Sequence, residues 1–513
     1  MKNKKVVIIL TSFVVLIGCI LFANQIYNKS KNKQIPKKNN LAIMVKGEFG
    51  DYISTDAIPK GNYVLNEDKT ICENNGKVLN YDSTLGKVSF SFVGIDRCSL
   101  YFDKIIDTEK PVISNLTIND TTVIATLTDN IELSGYGIST SNTVEPTSWT
   151  SISGTSYNLS ITITTEGTYY LWVKDSAGNK AVSEVIDLVK YGWKTILANN
   201  TVNETTPNFA NTATTNEGLF KADDDLGTSY YFRGAVNNNW VQFGKDSNGN
   251  YMYWRIIRIN GDGSIRMIYS GTTAPTSSTA TIMTGTRTQI NASTYAFSDS
   301  YSDPAYVGYM YTLGEQHGNS TSSAIKITID NWYKTTTLET DSATKNLVSQ
   351  NQIFCNDRSV TTNTSSAPGE ISGSMSASTT YYYGAYIRIF RNKTPTLTCL
   401  FDSDKFTTKN SNIGNKKLDY PVGLITADEV AMAGGVFNTE NTSYYLYTNQ
   451  YYWTGSPYDF FSIYTRVFEY QIFSTGLLGG RYNGPDGIRP VISLSSKVKL
   501  SGNGTYNNVY TAS

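Results

Sequence analysis

The chain has 513 residues, with 43 Lys and Arg against 43 Asp and Glu, so its net charge is zero and it lacks the basic field that draws proteins onto nucleic acid. One histidine in the whole sequence leaves no material for a His-based triad beside a His metal site, a multi-His iron centre or a His-Glu-x-x-His zinc helix. The length allows about three domains, and low charge with abundant Tyr, Thr, Ser, Asn and Gly suits short strands and turns, so the expected fold class is mostly β, multidomain, in an exported protein.

Residues 6–23 (VVIILTSFVVLIGCILFA) follow Lys2, Lys4 and Lys5 and are apolar or small throughout. Such a run nearly covers a hydrocarbon core about 30 Å thick, which predicts an N-terminal transmembrane helix, with residues 1–40 forming anchor and spacer. Leu16-Ile17-Gly18-Cys19 also resembles the lipobox of bacterial lipoproteins, whose cysteine becomes the lipidated N-terminus. Against that alternative, Ile20-Leu21-Phe22-Ala23 continue the apolar run where a lipoprotein turns polar. Either reading tethers the chain to the cell membrane. The lysines at 29, 31, 33, 37 and 38 by themselves favour a cytoplasmic tail, but the cysteine placement and the resemblances below argue for extracellular C-terminal domains.

After Cys19 the cysteines are Cys72, Cys98, Cys355 and Cys399, one pair in each of two regions. Two local disulfides outside the cytosol are expected, with isolated reduced core cysteines as the alternative. No Cys-x-x-Cys or Cys/His cluster suggests zinc. Residues 41–104 carry the β-type runs LAIMV, NYVL, KVSFSFV and RCSLYF between turn residues such as Pro59-Lys60-Gly61-Asn62 and Asn74-Asn75-Gly76. So small a module has a marginal core, which gives a Cys72–Cys98 bridge a structural role. It resembles a two-cysteine module of Gram-positive surface proteins.

Residues 105–190 alternate as strands do, in Val123-Ile124-Ala125-Thr126-Leu127 and Tyr169-Tyr170-Leu171-Trp172-Val173. The opening Asp107-Thr108-Glu109-Lys110-Pro111 and the closing Val173-Lys174-Asp175-Ser176-Ala177-Gly178-Asn179 resemble the bacterial Ig-like repeats of surface adhesins. The resemblance implies a β-sandwich serving as spacer or binder. Asp175 to Asn179 reads as a plain hairpin turn with Gly178 free to take positive φ; relatives sometimes place calcium near such acidic turns, but no specific calcium motif is present. Residues 191–228 lack a sustained period and read as a connector with one helical turn. Within it, Asp223-Asp224-Asp225 lacks EF-hand spacing and reads as a solvated acidic turn.

Residues 229–513 are expected to form one α+β domain. Asn260-Gly261-Asp262-Gly263 between YMYWRIIRI and SIRMIYSG is a hairpin signal. Helices are expected at AIKITIDNWYKTTTL and at LITADEVAMAGG, where Thr426 and Glu429 make a capping box. Strands return in YYWTGSPYDFF, YTRVFEYQIF and GIRPVISL. Pro421 to Gly435 (PVGLITADEVAMAGG), Tyr452-Trp453-Thr454-Gly455-Ser456-Pro457 and Gly487-Ile488-Arg489-Pro490-Val491 resemble the signature segments of the C-type-lectin-like and formylglycine-generating-enzyme superfamily. With Phe354-Cys355-Asn356-Asp357-Arg358 and Trp254-Arg255-Ile256-Ile257-Arg258-Ile259-Asn260, the pattern also resembles surface proteins of gut Firmicutes.

The superfamily's enzymes do not carry over. No cysteine follows Cys399 to supply the copper-binding pair, and the three histidines of the iron-dependent members are absent; His317, in Gly-Glu-Gln-His-Gly-Asn, reads as a surface polar residue. No catalytic residue and no cofactor is expected, and Arg489 is structural in the family. What the resemblance leaves is ligand binding by the terminal strands, and the candidate face is Trp453, Tyr458, Phe460, Tyr464, Arg466, Tyr470, Arg481 and Tyr482. Tyr and Arg dominate binding hot spots and aromatic faces stack on sugars, although in an alternating strand about half of such rings turn inward. The expected protein is a membrane-tethered, extracellular, non-enzymatic adhesin or ligand-binding protein for a glycan or protein partner. The alternatives are a carboxylate-based glycan-active enzyme, whose two acids would face each other about 5–9.5 Å apart, and a purely structural envelope component. Residues 507–513 hold no LPxTG-like signal, so sortase attachment is not expected.

Overall fold

Alternating burial organises the first module. In β7 (Arg97–Lys104), Cys98, Leu100 and Phe102 point inward and the residues between them outward. The computed structural model describes residues 40–47, 50–91, 94, 96–119, 121–408, 412–461, 464–470, 477–481 and 486–513. The expected transmembrane helix, Cys19 and the spacer up to residue 39 lie outside them, and among the described residues no helix is long and apolar enough to cross a membrane. Strands take 37% and helices 12%, so the chain is mostly β as its composition predicts.

The chain divides into two units, Met1–Val189 and Lys190–Ser513. In the first, β1 (Asn40–Lys46) pairs parallel with β7 and antiparallel with β2 (Tyr52–Thr55), while β3 (Tyr63–Leu65) and β4 (Ile71–Cys72) pair with β7. Cys72 faces Cys98 in that pairing and the two are disulfide-bonded. The hairpin of β5 (Lys77–Asp82) and β6 (Lys87–Ser91) packs Val78, Tyr81, Val88 and Phe90 on a core that, among the described residues, is Ile43, Cys98, Leu100 and Phe102.

The next segment closes two sheets on one core. β8 (Val112–Asn119), β9 (Thr122–Thr128) and β12 (Ser156–Thr162) form one sheet; β10 (Leu133–Ser139), β11 (Thr150–Ser151), β13 (Thr168–Asp175) and β14 (Lys180–Val182) form the other, with β15 (Ile186–Asp187) on β13. Val123, Ala125 and Leu127 from β9 meet Leu171 and Val173 from β13. The β13–β14 turn is the predicted one: Asp175 Oδ1 accepts from the Gly178 and Asn179 amides at 2.6 and 2.8 Å, and Gly178 has φ 98°.

The second unit corrects the connector reading of residues 191–228. After a short helix α1 (Gly192–Ala198), β16 (Val202–Asn203) and β17 (Asn216–Asp224) join β18 (Gly227–Gly234), β19 (Trp240–Lys245), β20 (Tyr251–Ile259) and β21 (Ile265–Tyr269) in one sheet. The segment shows no simple alternation because the register of β17 shifts between Asn216 and Gly218 and the adjacent Leu219 and Phe220 are both buried. β20 is buried along nearly its whole length, which explains its unbroken apolar run. The predicted Asn260–Gly263 hairpin joins it to β21, and a Cβ at Gly261 would lie 2.3 Å from the Gly227 nitrogen, so only glycine fits.

The predicted helices are α2 (Ala324–Tyr333), capped by Ser323, and α3 (Ala427–Met432), where Thr426 and Glu429 make the expected capping box. A second sheet runs β22 (Val360–Thr361), β23 (Tyr381–Tyr383), β24 (Tyr452–Phe461), β25 (Tyr464–Tyr470) and β26 (Leu477–Arg481). Between β23 and α3 lies a π-helix, Ile387–Asn392. β27 (Val491–Leu494) pairs with β21, and Cys355 is disulfide-bonded to Cys399.

Candidate functional site

The eight residues of the expected binding face separate. Trp453 and Phe460 are fully buried: the Trp453 indole donates to the Tyr295 carbonyl at 2.7 Å and sits edge-on to Phe297. They belong to the core and not to a ligand face, because β24 is hydrogen-bonded on both edges and its register with β25 shifts around Pro457, which breaks simple alternation. Tyr464 is 48% exposed and stacks on Tyr301 with ring centres 5.4 Å apart, beside the exposed Phe461. Tyr470 and Arg481 lie in β25 and β26, but their side chains, like the whole of Tyr482, lie outside the described residues.

Tyr458 and Arg466 come together in a larger assembly. Arg466 donates from Nε to Asp459 Oδ1 at 2.6 Å, pairs again through Nη2, and holds its guanidinium 4.9 Å from the Tyr458 ring centre. Burial raises the Asp459 pKa and Arg466 offsets only part of that rise. Tyr458 meets Tyr386 at 5.0 Å, lies nearly parallel to Phe437 at 6.1 Å, and rests edge-on against the buried Phe468. Tyr386 in turn meets Tyr382 and Phe390, each at 5.1 Å, and Phe390 meets Phe437 at 4.8 Å. Tyr382, Tyr386, Phe390, Phe437 and Tyr458 are all half-buried, so their rings make one continuous, partly open aromatic floor. Sequence reasoning found Tyr458 and missed the others, although Tyr382, Tyr386 and Phe390 recur every four residues, the spacing that places side chains on one helical face.

The π-helix that carries Phe390 also contributes Arg388 to an ionic network. Arg258 pairs with Asp224 and Glu429, and Arg266 shares Glu429. Arg388, from the π-helix, pairs with Asp357 and Asp428. Burial pushes Glu429 and Asp357 up, but the arginines outweigh it and hold both below the usual carboxylate range. Asp224 is therefore an internal anchor, which corrects the solvated acidic turn expected at Asp223-Asp224-Asp225. A cavity of about 30 Å³ lies among these residues, lined also by Asn260, Thr426 and Ser456, room for at least one water.

His317 is likewise not a surface residue. Its side chain is 14% exposed, its Nδ1 lies 3.0 Å from both oxygens of Asp404, and its buried Nε2 has no hydrogen-bond partner. Asp404 also binds Arg358, so the histidine belongs to an internal polar cluster. Arg489 is fully buried and donates to the Tyr269 and Leu446 carbonyls at 3.0 and 3.2 Å, a structural position. Glu469 and Asp486 are buried carboxyls hydrogen-bonded to each other; burial, then that bond, pushes Asp486 up to about 9. Their direct contact leaves no gap to hold a glycosidic bond.

In the first unit, carboxylate oxygens of Asp107, Asp129 and Asp175 lie within 4.8 Å of one another. Asp129 and Asp175 are more than nine-tenths buried, and the Oδ2 atoms of Asp107 and Asp129 are buried without a hydrogen-bond partner. Among the described residues no Lys or Arg pairs with any of the three. No family model, no curated protein and no solved structure matches this chain.

Proposed function

We propose that this chain is a membrane-tethered, extracellular surface protein whose C-terminal unit binds a glycan or protein ligand. The observation that carries this reading is the half-buried aromatic cluster around Tyr458, because a contiguous, partly accessible aromatic surface suits an interaction site and Tyr offers contact area at small entropic loss. The two disulfides support an oxidising compartment, and the apolar run at residues 6–23 supports a membrane anchor or lipidation at Cys19. The two-sheet sandwich with its Asp175–Asn179 turn supports a bacterial Ig-like spacer. The capped helix after Pro421 and the terminal strands support a C-type-lectin-like domain.

Calcium, which the Ig-like resemblance associates with acidic turns, fits the donors of the middle module. Asp107, Asp129 and Asp175 would hold it, the unpartnered Oδ2 atoms being the available ligands. The ion would cancel the repulsion among three close carboxylates and tie the start of the sandwich to its last hairpin.

The test is binding of the intact chain to glycans, mucin and matrix proteins, in calcium and in EDTA, beside a Tyr458→Ala/Phe437→Ala variant. Saturable binding lost in the still-folded variant supports the reading. Binding that survives moves the site elsewhere, and binding to no member favours the structural envelope role.

A further inference from the structure

We infer that the π-helix ledge at Phe390 is a subsite for an anionic glycan, with Phe390 contacting a sugar ring and Arg391 and Lys393 receiving its carboxylate or sulfate. The inference rests on the reading that the C-terminal unit binds a ligand, and it names the ligand's chemistry.

Charge complementarity is the main argument. The aromatic floor is bordered by four cations. Arg388 is committed to Asp357 and Asp428, and Arg466 to Asp459. Arg391 and Lys393 stand differently: the Arg391 guanidinium is 5.8 Å and the Lys393 ammonium 5.9 Å from the Phe390 ring centre, and among the described residues neither pairs with a carboxylate. The two uncompensated charges thus flank one half-open ring that continues into Phe437 and Tyr386. Arg391 is exposed, whereas Lys393 is half-buried, and burial lowers its pKa. A partly dehydrated ammonium without an anion is unfavourable, and an incoming anion would relieve it.

Backbone conformation points to the same residues. Ile387–Asn392 is a π-helix, and Lys393 closes it in the left-handed region at φ 56°. A π-helical turn is a feature frequent at functional sites, while the left-handed Lys393 is an ordinary way to end a helix.

The observations favour a glycan over a membrane surface. Membrane-binding aromatics project their rings; here Tyr386, Phe390, Phe437 and Tyr458 lie half-buried against one another with centres 4.8 to 6.1 Å apart. Their planes are tilted by 52 to 73° at the Tyr386–Phe390, Tyr386–Tyr458 and Phe390–Phe437 contacts, so they form a faceted, partly open surface with cations beside Phe390 and Tyr458, where the substituents of a bound sugar would lie.

The experiment titrates the intact chain with heparin, hyaluronan, polysialic acid, neutral mannan and phosphatidylserine vesicles at low and high salt. Wild type is compared with Arg391→Gln/Lys393→Gln and with Phe390→Leu, each checked for an unchanged unfolding midpoint. The expected result is salt-sensitive binding to at least one anionic glycan, weakened at least about tenfold by the double charge variant, with Phe390→Leu also weakening it. Heparin against hyaluronan separates sulfate from carboxylate recognition. Anionic-glycan binding indifferent to the double variant overturns the inference, as does binding to vesicles alone. Binding to mannan alone, lost in Tyr458→Ala, overturns it while leaving the wider reading intact. Binding to no probe overturns the inference and leaves the wider reading with a protein ligand.

Discussion

Breaking the Cys72–Cys98 disulfide should unfold the module at residues 40–104 and leave the C-terminal unit folded. Among the described residues, the module's fully buried apolar side chains are Ile43, Cys98, Leu100 and Phe102, and the core of so small a module supplies roughly 3 to 5 kcal/mol at best. The bridge spans a sequence separation of 26, which in the chain-entropy model corresponds to about 3.5 kcal/mol. Its loss therefore removes most of the local stability. Because about 1.4 kcal/mol is a factor of ten, amide protection in β1 and β7 should fall by about 300-fold. The Cys355–Cys399 bridge spans 44 residues and is worth about 4 kcal/mol by the same model. It sits in a far larger continuous core, however, so its removal should lower protection without unfolding the unit. Hydrogen–deuterium exchange read peptide by peptide on the intact Cys72→Ser/Cys98→Ser and Cys355→Ser/Cys399→Ser variants separates the two cases. If β7 keeps its protection within about tenfold when the first bridge is lost, the argument from core size is wrong.

Glu429→Gln leaves Arg258 and Arg266 buried with half their compensation, and should lower the stability of the C-terminal unit by about 3 to 5 kcal/mol in urea unfolding; a change below about 1 kcal/mol would mean that the network is solvated. Asp486, raised to about 9, keeps in the native state a proton that the unfolded chain has already lost near neutral pH. Its contribution is full below the unfolded carboxyl range and declines as pH rises through about 9, by at most about 1.4 kcal/mol per pH unit. Asp486→Asn should therefore flatten the fall in denaturation midpoint between mildly acid and alkaline pH, and an unchanged slope would refute the proton assignment. Asp129→Asn should abolish any rise in the unfolding temperature of the first unit on adding calcium, whereas Asp246→Asn, in an exposed turn elsewhere, should not.

Local signals were the legible part of this sequence. Asn260–Gly263, Asp175–Asn179 and the Thr426/Glu429 capping box each act over a few residues and each formed as read. The cysteine pairs were equally plain, one to each region. Long-range compensation was not legible. Asp224 looked solvated because its partner Arg258 lies 34 residues away, and Glu429 joins that network from 171 residues beyond Arg258. Within the site, Tyr458 and Arg466 were legible as members of the candidate face, but not as partners of each other. Trp453 and Phe460 were assigned to the same face, since nothing in their spacing announces the register shifts around Pro457 that turn them inward. The partners of Tyr458 come from residues 382–390 and from Phe437, and only the fourfold spacing of Tyr382, Tyr386 and Phe390 hinted at them.

The central claim is that the floor around Tyr458 is a ligand-binding surface and that the exposed Tyr301–Tyr464 stack is not. The most direct test is a side-by-side titration of the intact chain, Tyr458→Ala and Tyr464→Ala with the tightest-binding glycan or matrix ligand. The account predicts that Tyr458→Ala weakens binding at least about tenfold, as a hot-spot residue should, while Tyr464→Ala binds as the wild type does. Loss of binding in Tyr464→Ala with full binding in Tyr458→Ala would contradict it.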